Sequence, residues 1–177
     1  MGHNNPARNV PFLTTREVFA LKLKLSPERV DAYLAASTAE KRRLLAEETN
    51  PVQLVPADVA TWFAPRQIEE IEWYASADDL CAAMTTLKQM SERPGLAPIR
   101  DVLAINPGVP FDSSVWTYVG FKGGSEPGVL NVTWLLERAD GHWFVLTASL
   151  NDPDRPLDET AAIELLATVP ALLAAKP

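Results

Sequence analysis

Cysteine is nearly missing from this sequence. Cys81 is the only one in 177 residues, which excludes an internal disulfide and any cysteine-based zinc cluster. Histidine is almost as scarce: His3 and His142 stand far apart, and two unpaired histidines do not make a metal site. No metal and no cofactor are expected. Long apolar runs are absent, none approaching the ~18 residues of a membrane helix, so no membrane span is expected. A basic excess is lacking too. Lys plus Arg number 16 against 23 Asp plus Glu, a formal charge of −7, which argues against a nucleic-acid surface because nothing is left over to neutralise phosphates. The opening stretch MGHNNPARNVPFLTT has no apolar core of a signal peptide. Pro6 stands where a myristoylation signal needs Ser or Thr. The compartment stays open.

What is present reads as one α+β domain over residues 1–177. Residues 1–95 are mainly helical, and 96–177 hold a sheet and a terminal helix. Hydrophobic residues at 47% and charged residues at 22% suit a globular chain large enough to bury a core. Thr14-Thr15-Arg16-Glu17 is a capping box opening a helix to about Leu25, with Val18, Leu21 and Leu25 at helical spacing. Ser26-Pro27 starts a second helix, with Pro where its missing N–H costs nothing. Ser37 to Glu40 caps a third. A short helical turn is expected over Asp58–Phe63, and Ile68–Tyr74 reads as either a short strand or a helix end. Ser76 to Asp79 caps a helix to about Ser91, with Leu80, Met84, Leu87 and Met90 on one face and Cys81 as a buried small hydrophobe. Asp158 caps a terminal helix with Ala161, Leu165, Val169, Leu172 and Leu173 along one face, kinked or divided by Pro170.

Between them lie three runs rich in Val, Trp, Tyr, Phe, Thr and Leu, from Trp116 to Leu150, each long enough for one strand. They predict an antiparallel meander of three or more strands, covered by the terminal helix and the helical layer. Asp140-Gly141 suits the tight turn between the last two. Lys122 to Gly128 joins the first two. The residues 101–105, containing VLAI, read as a possible extra strand. On spacing alone Lys122-Gly123-Gly124 admits two readings. One is a solvated lysine on a bulged hairpin, with glycine supplying positive φ. The other is a fixed positive charge beside bare backbone, able to hold a carboxylate and stabilise a developing anion.

Lys122-Gly123-Gly124, on a strand followed by two more and a terminal helix, resembles the K-[ST]-G element of class A β-lactamases and related penicillin-recognising serine hydrolases. The fuller string GFKGGSEPGVLNVTWLLERADGHWFVL is similar to members whose lysine motif reads K-G-G. The resemblance implies the C-terminal part of a catalytic domain that forms an acyl-enzyme with a β-lactam or a D-Ala-D-Ala-like amide. It implies that Lys122, Gly123, Gly124 and Ser125 line the substrate site, Lys122 on the carboxylate side and the Ser125 N–H as half of an oxyanion hole. The middle residue of the motif is usually Ser or Thr. Gly123 stands there instead, so that hydroxyl is missing unless Ser125 replaces it.

The family's nucleophile element, S-x-x-K, has no match. The third residue after Ser26, Ser37, Ser76 and Ser91 is Arg29, Glu40, Asp79 and Pro94; after Ser113, Ser114, Ser125 and Ser149 it is Trp116, Thr117, Gly128 and Asp152. Thr38-x-x-Lys41 has the spacing, but Thr38 sits at a helix start. The S-D-N element is absent. Glu17, Glu69, Glu70 and Glu72 are candidate deacylation bases by type alone, and none stands in the family's loop motif. Residues 143–150 are apolar at nearly every position, which demands cover on both faces and a neighbour on each side. Only one neighbour, 129–137, is available. The expectation is therefore an incomplete β-lactamase-like fold, inactive alone. The alternatives are a non-catalytic module that binds a peptide or itself through the open strand edge, or a fold completed by another chain.

Overall fold

The computed structural model describes residues 5–175. Its architecture is α+β: a three-stranded antiparallel sheet and, among the described residues, eight α-helices. Three helices come first: α1 (Thr15–Leu23), α2 (Pro27–Ala35) and α3 (Thr38–Leu44), the last continuing into a π-helical turn at Leu45–Thr49. The Thr14–Glu17 capping box forms as the sequence requires. The Glu17 carboxylate accepts from the Thr14 N–H at 2.6 Å, and Thr14 Oγ1 accepts from the Glu17 N–H at 3.3 Å. Val18, Leu21, Val30, Tyr33 and Leu45 close a first core together with Leu13 and Ile71.

The stretch after α4 (Pro56–Ala60) is neither strand nor helix end. It is an irregular loop held by side chains. Asn9 and Tyr74 exchange two hydrogen bonds, at 2.7 and 2.9 Å, and the Trp73 indole donates to the Leu13 carbonyl at 2.7 Å. Ile68 and Ile71 point inward from it, which explains an apolar pattern with no regular period.

Strands β1 (Trp116–Glu126), β2 (Val129–Arg138) and β3 (Trp143–Asn151) lie in the order β1-β2-β3. The Asp140-Gly141 turn forms, with Gly141 at φ 85°. The first hairpin is tighter than the sequence suggests. β1 runs on through Lys122 and the two glycines to Glu126, leaving Pro127-Gly128 as the turn, and the positive φ (84°) is at Gly128. The register is regular past Lys122, its one irregularity lying between Trp116 and Tyr118. The bulged-hairpin reading of Gly123-Gly124 is thereby corrected.

The expected strand at 101–105 is instead the end of a helix, α6 (Pro98–Leu103). Pro98 sits at the first helical position, where it favours helix, and Leu103 packs against Gly120 on the sheet. The Tyr118 hydroxyl donates to the Arg100 carbonyl at 3.0 Å and fixes the helix there.

Alternation sorts the sheet's faces. Leu130, Val132, Trp134 and Leu136 of β2 and Phe144, Leu146, Ala148 and Leu150 of β3 form the second core, with α7 (Glu159–Leu166) and α8 (Val169–Ala174) against it. The other face carries α5 (Ala77–Ser91) and α6. β2 is therefore covered on both faces and paired on both sides, and most of it is buried.

The break between α7 and α8 falls just before Pro170, as expected, but the buried stripe is different. Ala162, Ile163, Leu166 and Leu173 face the sheet, whereas Leu165 and Leu172 are exposed. With Pro170 buried between them, the sheet-facing positions keep helical spacing across the break at Ala167 and Thr168, so the stripe is continuous but offset by about one residue from the expected one. Cys81 is free and half-buried rather than fully enclosed. Among the described residues, no helix is long and apolar enough to cross a membrane.

Candidate functional site

β1 delivers the lysine–glycine motif to the edge of the sheet. Lys122, Gly123, Gly124 and Ser125 pair with Thr133, Val132, Asn131 and Leu130 on β2. Alternation puts Lys122 and Gly124 on one face and Gly123 and Ser125 on the other. The Lys122 side chain is exposed, and its ammonium donates to the carbonyl of Gly123 beside it. Gly123 is required by packing: a Cβ there would come within 2.7 Å of the Phe121 ring. Around Gly124 the space is open.

A cavity of about 380 Å³ lies at the end of this strand, where the helical layer meets the β1–β2 turn. Ser125 and Glu126 line it, opposite Phe19, Trp62, Phe63 and Glu159. Of the four motif residues, only Ser125 reaches it; Lys122, Gly123 and Gly124 are not among its walls. The Trp62 ring is held by its indole N–H, which donates to the Ala64 carbonyl at 2.8 Å, and by an edge-on contact with Phe19 at 6.0 Å.

Behind Glu126 is a charge cluster that sequence reasoning missed. Lys22 of α1 has a side chain with 0% exposure, and its ammonium donates to Glu126 at 2.6 Å and to Glu72. Both carboxylates are largely buried. Glu72 comes from the irregular loop, whose Arg66 donates to the Lys22 carbonyl at 3.2 Å. Two carboxylates thus share one ammonium out of water. Burial pushes the Glu126 carboxyl up to about 8, against the pull of Lys22 and with further upward pressure from Glu72.

A signal for this cluster was present in the sequence. Lys22 stands four residues after Val18 and next to Leu21, so it falls on the apolar face of α1, where a lysine needs a buried partner. The partners themselves could not be read, since Glu126 is 104 positions away.

Of the remaining candidates, Glu69 and Glu70 are exposed on the irregular loop outside the cavity walls, and others have structural duties. Glu17 caps α1 and Glu72 belongs to the Lys22 cluster. Thr38 opens α3 behind its cap Ser37, and the Lys41 ammonium lies over the Tyr33 ring at 5.2 Å. His142 is exposed beside the β2–β3 turn, 3.1 Å from Asp140; His3 lies outside the described residues. No known protein-family model matches the chain, and no curated protein matches it.

Proposed function

We propose that residues 1–177 are the C-terminal portion of a β-lactamase-like serine hydrolase domain, completed by a segment that carries the nucleophilic serine. The observation that carries this reading is the arrangement of the sheet. The lysine–glycine motif lies on an edge strand, two strands follow it in spatial order, and the terminal helices close one face. β3 supports it further. It is half-buried from Trp143 to Ala148, yet among the described residues β2 is its only strand partner. A completing strand would satisfy that edge.

In the completed domain the serine attacks the carbonyl of a β-lactam or related amide. The Ser125 N–H donates to the oxyanion, and Lys122 holds the substrate carboxylate. The Lys122 side chain is exposed, so turning its ammonium from the Gly123 carbonyl to a ligand needs only rotamer changes.

The test has two arms. Residues 1–177 alone, incubated with benzylpenicillin and weighed intact, form no adduct; a stoichiometric adduct would put the nucleophile inside this chain and overturn the division. The coding DNA on the 5′ side of Met1 contains an in-frame Ser-x-x-Lys, and the extended protein is acylated. An extended frame without that motif removes the reading.

A second reading is a non-catalytic module that binds a peptide or a second copy along an open strand edge. It is favoured by the position of Lys122, whose ammonium rests on its own strand outside the cavity. That module is monodisperse, melts cooperatively and binds little ANS, whereas a fold awaiting its completing segment binds ANS and aggregates.

A further inference from the structure

The cavity at the end of β1 has walls of two kinds. Phe19, Trp62 and Phe63 supply ring surface, and Glu126 and Glu159 supply carboxylates; among the described residues no lysine or arginine is in its walls. We propose that this cavity binds an organic cation, an alkyl- or arylalkyl-ammonium group, seated against the Trp62, Phe19 and Phe63 rings with Glu126 and Glu159 as counter-ions.

Three observations converge on a cation. The first is charge balance: among the described residues Lys22 is the only ammonium bonded to Glu72 and Glu126, so once both carboxylates ionise the buried cluster lacks one positive charge. A cation in the cavity supplies it. The second is the walls themselves, since the negative face of an aromatic ring attracts an ammonium, most strongly when both are withdrawn from water. Trp62 already receives the Lys22 ammonium at 5.7 Å from its ring centroid, and its position is fixed by its indole hydrogen bond. The third is the rim. Val59 and Phe63 are exposed, Phe63 by 74%, so apolar surface stands at the mouth where an occupant would cover it. A neutral apolar ligand would cover that rim but draw nothing from the ring faces' negative potential or from the two carboxylates. An anion would face two carboxylates.

Binding is coupled to a proton. The charged groups around the Glu126 carboxyl are Lys22 from α1, Glu72 from the loop and Glu159 from α7 across the cavity, with Arg66 on the Lys22 carbonyl. Burial leaves Glu126 largely protonated near neutrality. A cation arriving beside it favours the carboxylate and releases that proton, so affinity rises with pH. Lys122 takes no part and Ser125 is the one residue shared with the hydrolase reading, so cation binding by residues 1–177 is read separately from acylation.

Titration calorimetry with benzyltrimethylammonium, whose charge is independent of pH, tests this directly, with benzyl alcohol as the uncharged control. The ammonium is expected to bind at least about tenfold more tightly than the alcohol. At pH 7 its binding heat should depend on the buffer's ionisation enthalpy, showing proton release. Glu126→Gln should abolish that dependence and weaken binding. Because Glu126→Gln disturbs the Lys22 cluster, Glu159→Gln and Phe63→Ala, both at exposed positions, provide a second measure, and each should weaken the ammonium. Equal affinity for the two probes overturns the site, as does an unchanged dissociation constant in both exposed variants.

Discussion

Glu126, the last residue of β1, accepts a hydrogen bond at 2.6 Å from the fully buried ammonium of Lys22 in α1, 104 positions earlier. This bond ties the helical layer to the end of the strand that carries the lysine–glycine motif. Glu72 joins the same ammonium from the intervening loop, so three separate stretches of chain meet at one charge. The ion cluster fixes the geometry of the cavity, and its protonation is felt by the whole fold.

Stability should fall as the pH is raised from about 5 to 8. Glu126 loses its proton at about 8 in the folded protein but at its ordinary 4.5 in the unfolded chain. Between those values the folded state holds a proton that the unfolded state has released, so raising the pH favours unfolding. Carboxylates held below their ordinary range act elsewhere. Asp140, lowered by Arg138, and Asp58, lowered by Lys24, lose their contributions only as the pH falls below the usual carboxylate range. Thermal melts at half-unit steps should show the decline, and Glu126→Gln should flatten it. A wild-type melting temperature constant from pH 5 to 8 would show that Glu126 ionises normally.

Replacing Lys22 by Met removes the shared cation and leaves the Glu72 carboxylate uncompensated beside Glu126, out of water. Breaking a buried pair from one side costs about 3–5 kcal/mol, because the surviving charges are uncompensated. The expected result in urea is a lowered midpoint with an unchanged slope. Adding Glu72→Gln and Glu126→Gln to Lys22→Met should restore much of the loss, since neutral amides need no counter-ion. A loss below about 1 kcal/mol for Lys22→Met would match an exposed ion pair and contradict the burial.

How far the sequence could be read depends on how local the signal is. The capping residues Thr14, Ser76 and Asp158 act over three positions, and each caps the helix assigned to it. The three strands carry enough β-branched and aromatic residues to be recognised one by one, and Asp140-Gly141 marks their second turn. The segment containing VLAI is ambiguous alone because a short apolar run fits strand or helix equally, and Pro98 and the contact with Gly120 decide for helix. The loop around Glu72 has no period, since tertiary bonds from Asn9 and Trp73 hold it. The charge cluster lay furthest from view: Lys22 betrays itself on an apolar face, but nothing local names Glu126 as its partner.

Trp134 is the keystone of the second core. It is almost fully buried, with Phe121 at 5.3 Å and Phe111 at 6.3 Å between ring centroids, and its indole donates to the Pro107 carbonyl at 2.8 Å. Trp134→Ala should cost about 3–5 kcal/mol through the cavity it leaves. Trp134→Phe keeps most of the ring and should cost less, the remainder reflecting the unpaired Pro107 carbonyl. Denaturant melts of the two variants measure the difference, and equal losses would assign the whole effect to the hydrogen bond.

The two glycines of the motif should respond unequally to the same substitution. A methyl group at Gly123 enters the space of the Phe121 ring, which itself lies tilted against Trp134 and also presses within 2.9 Å of where a Cβ on Gly108 would lie. The ring has little freedom to withdraw, so Gly123→Ala should destabilise by about 1–3 kcal/mol, the usual cost of overfilling a packed site. At Gly124 nothing lies within 4 Å, and Gly124→Ala should change stability by no more than about 0.5 kcal/mol. Thermal melts of the two variants separate packing from recognition. A costly Gly123→Ala assigns that glycine to the Phe121 contact. Since Gly124→Ala leaves the fold intact, any effect it has on ligand binding must come from the lost approach of the ligand to bare backbone at the strand edge.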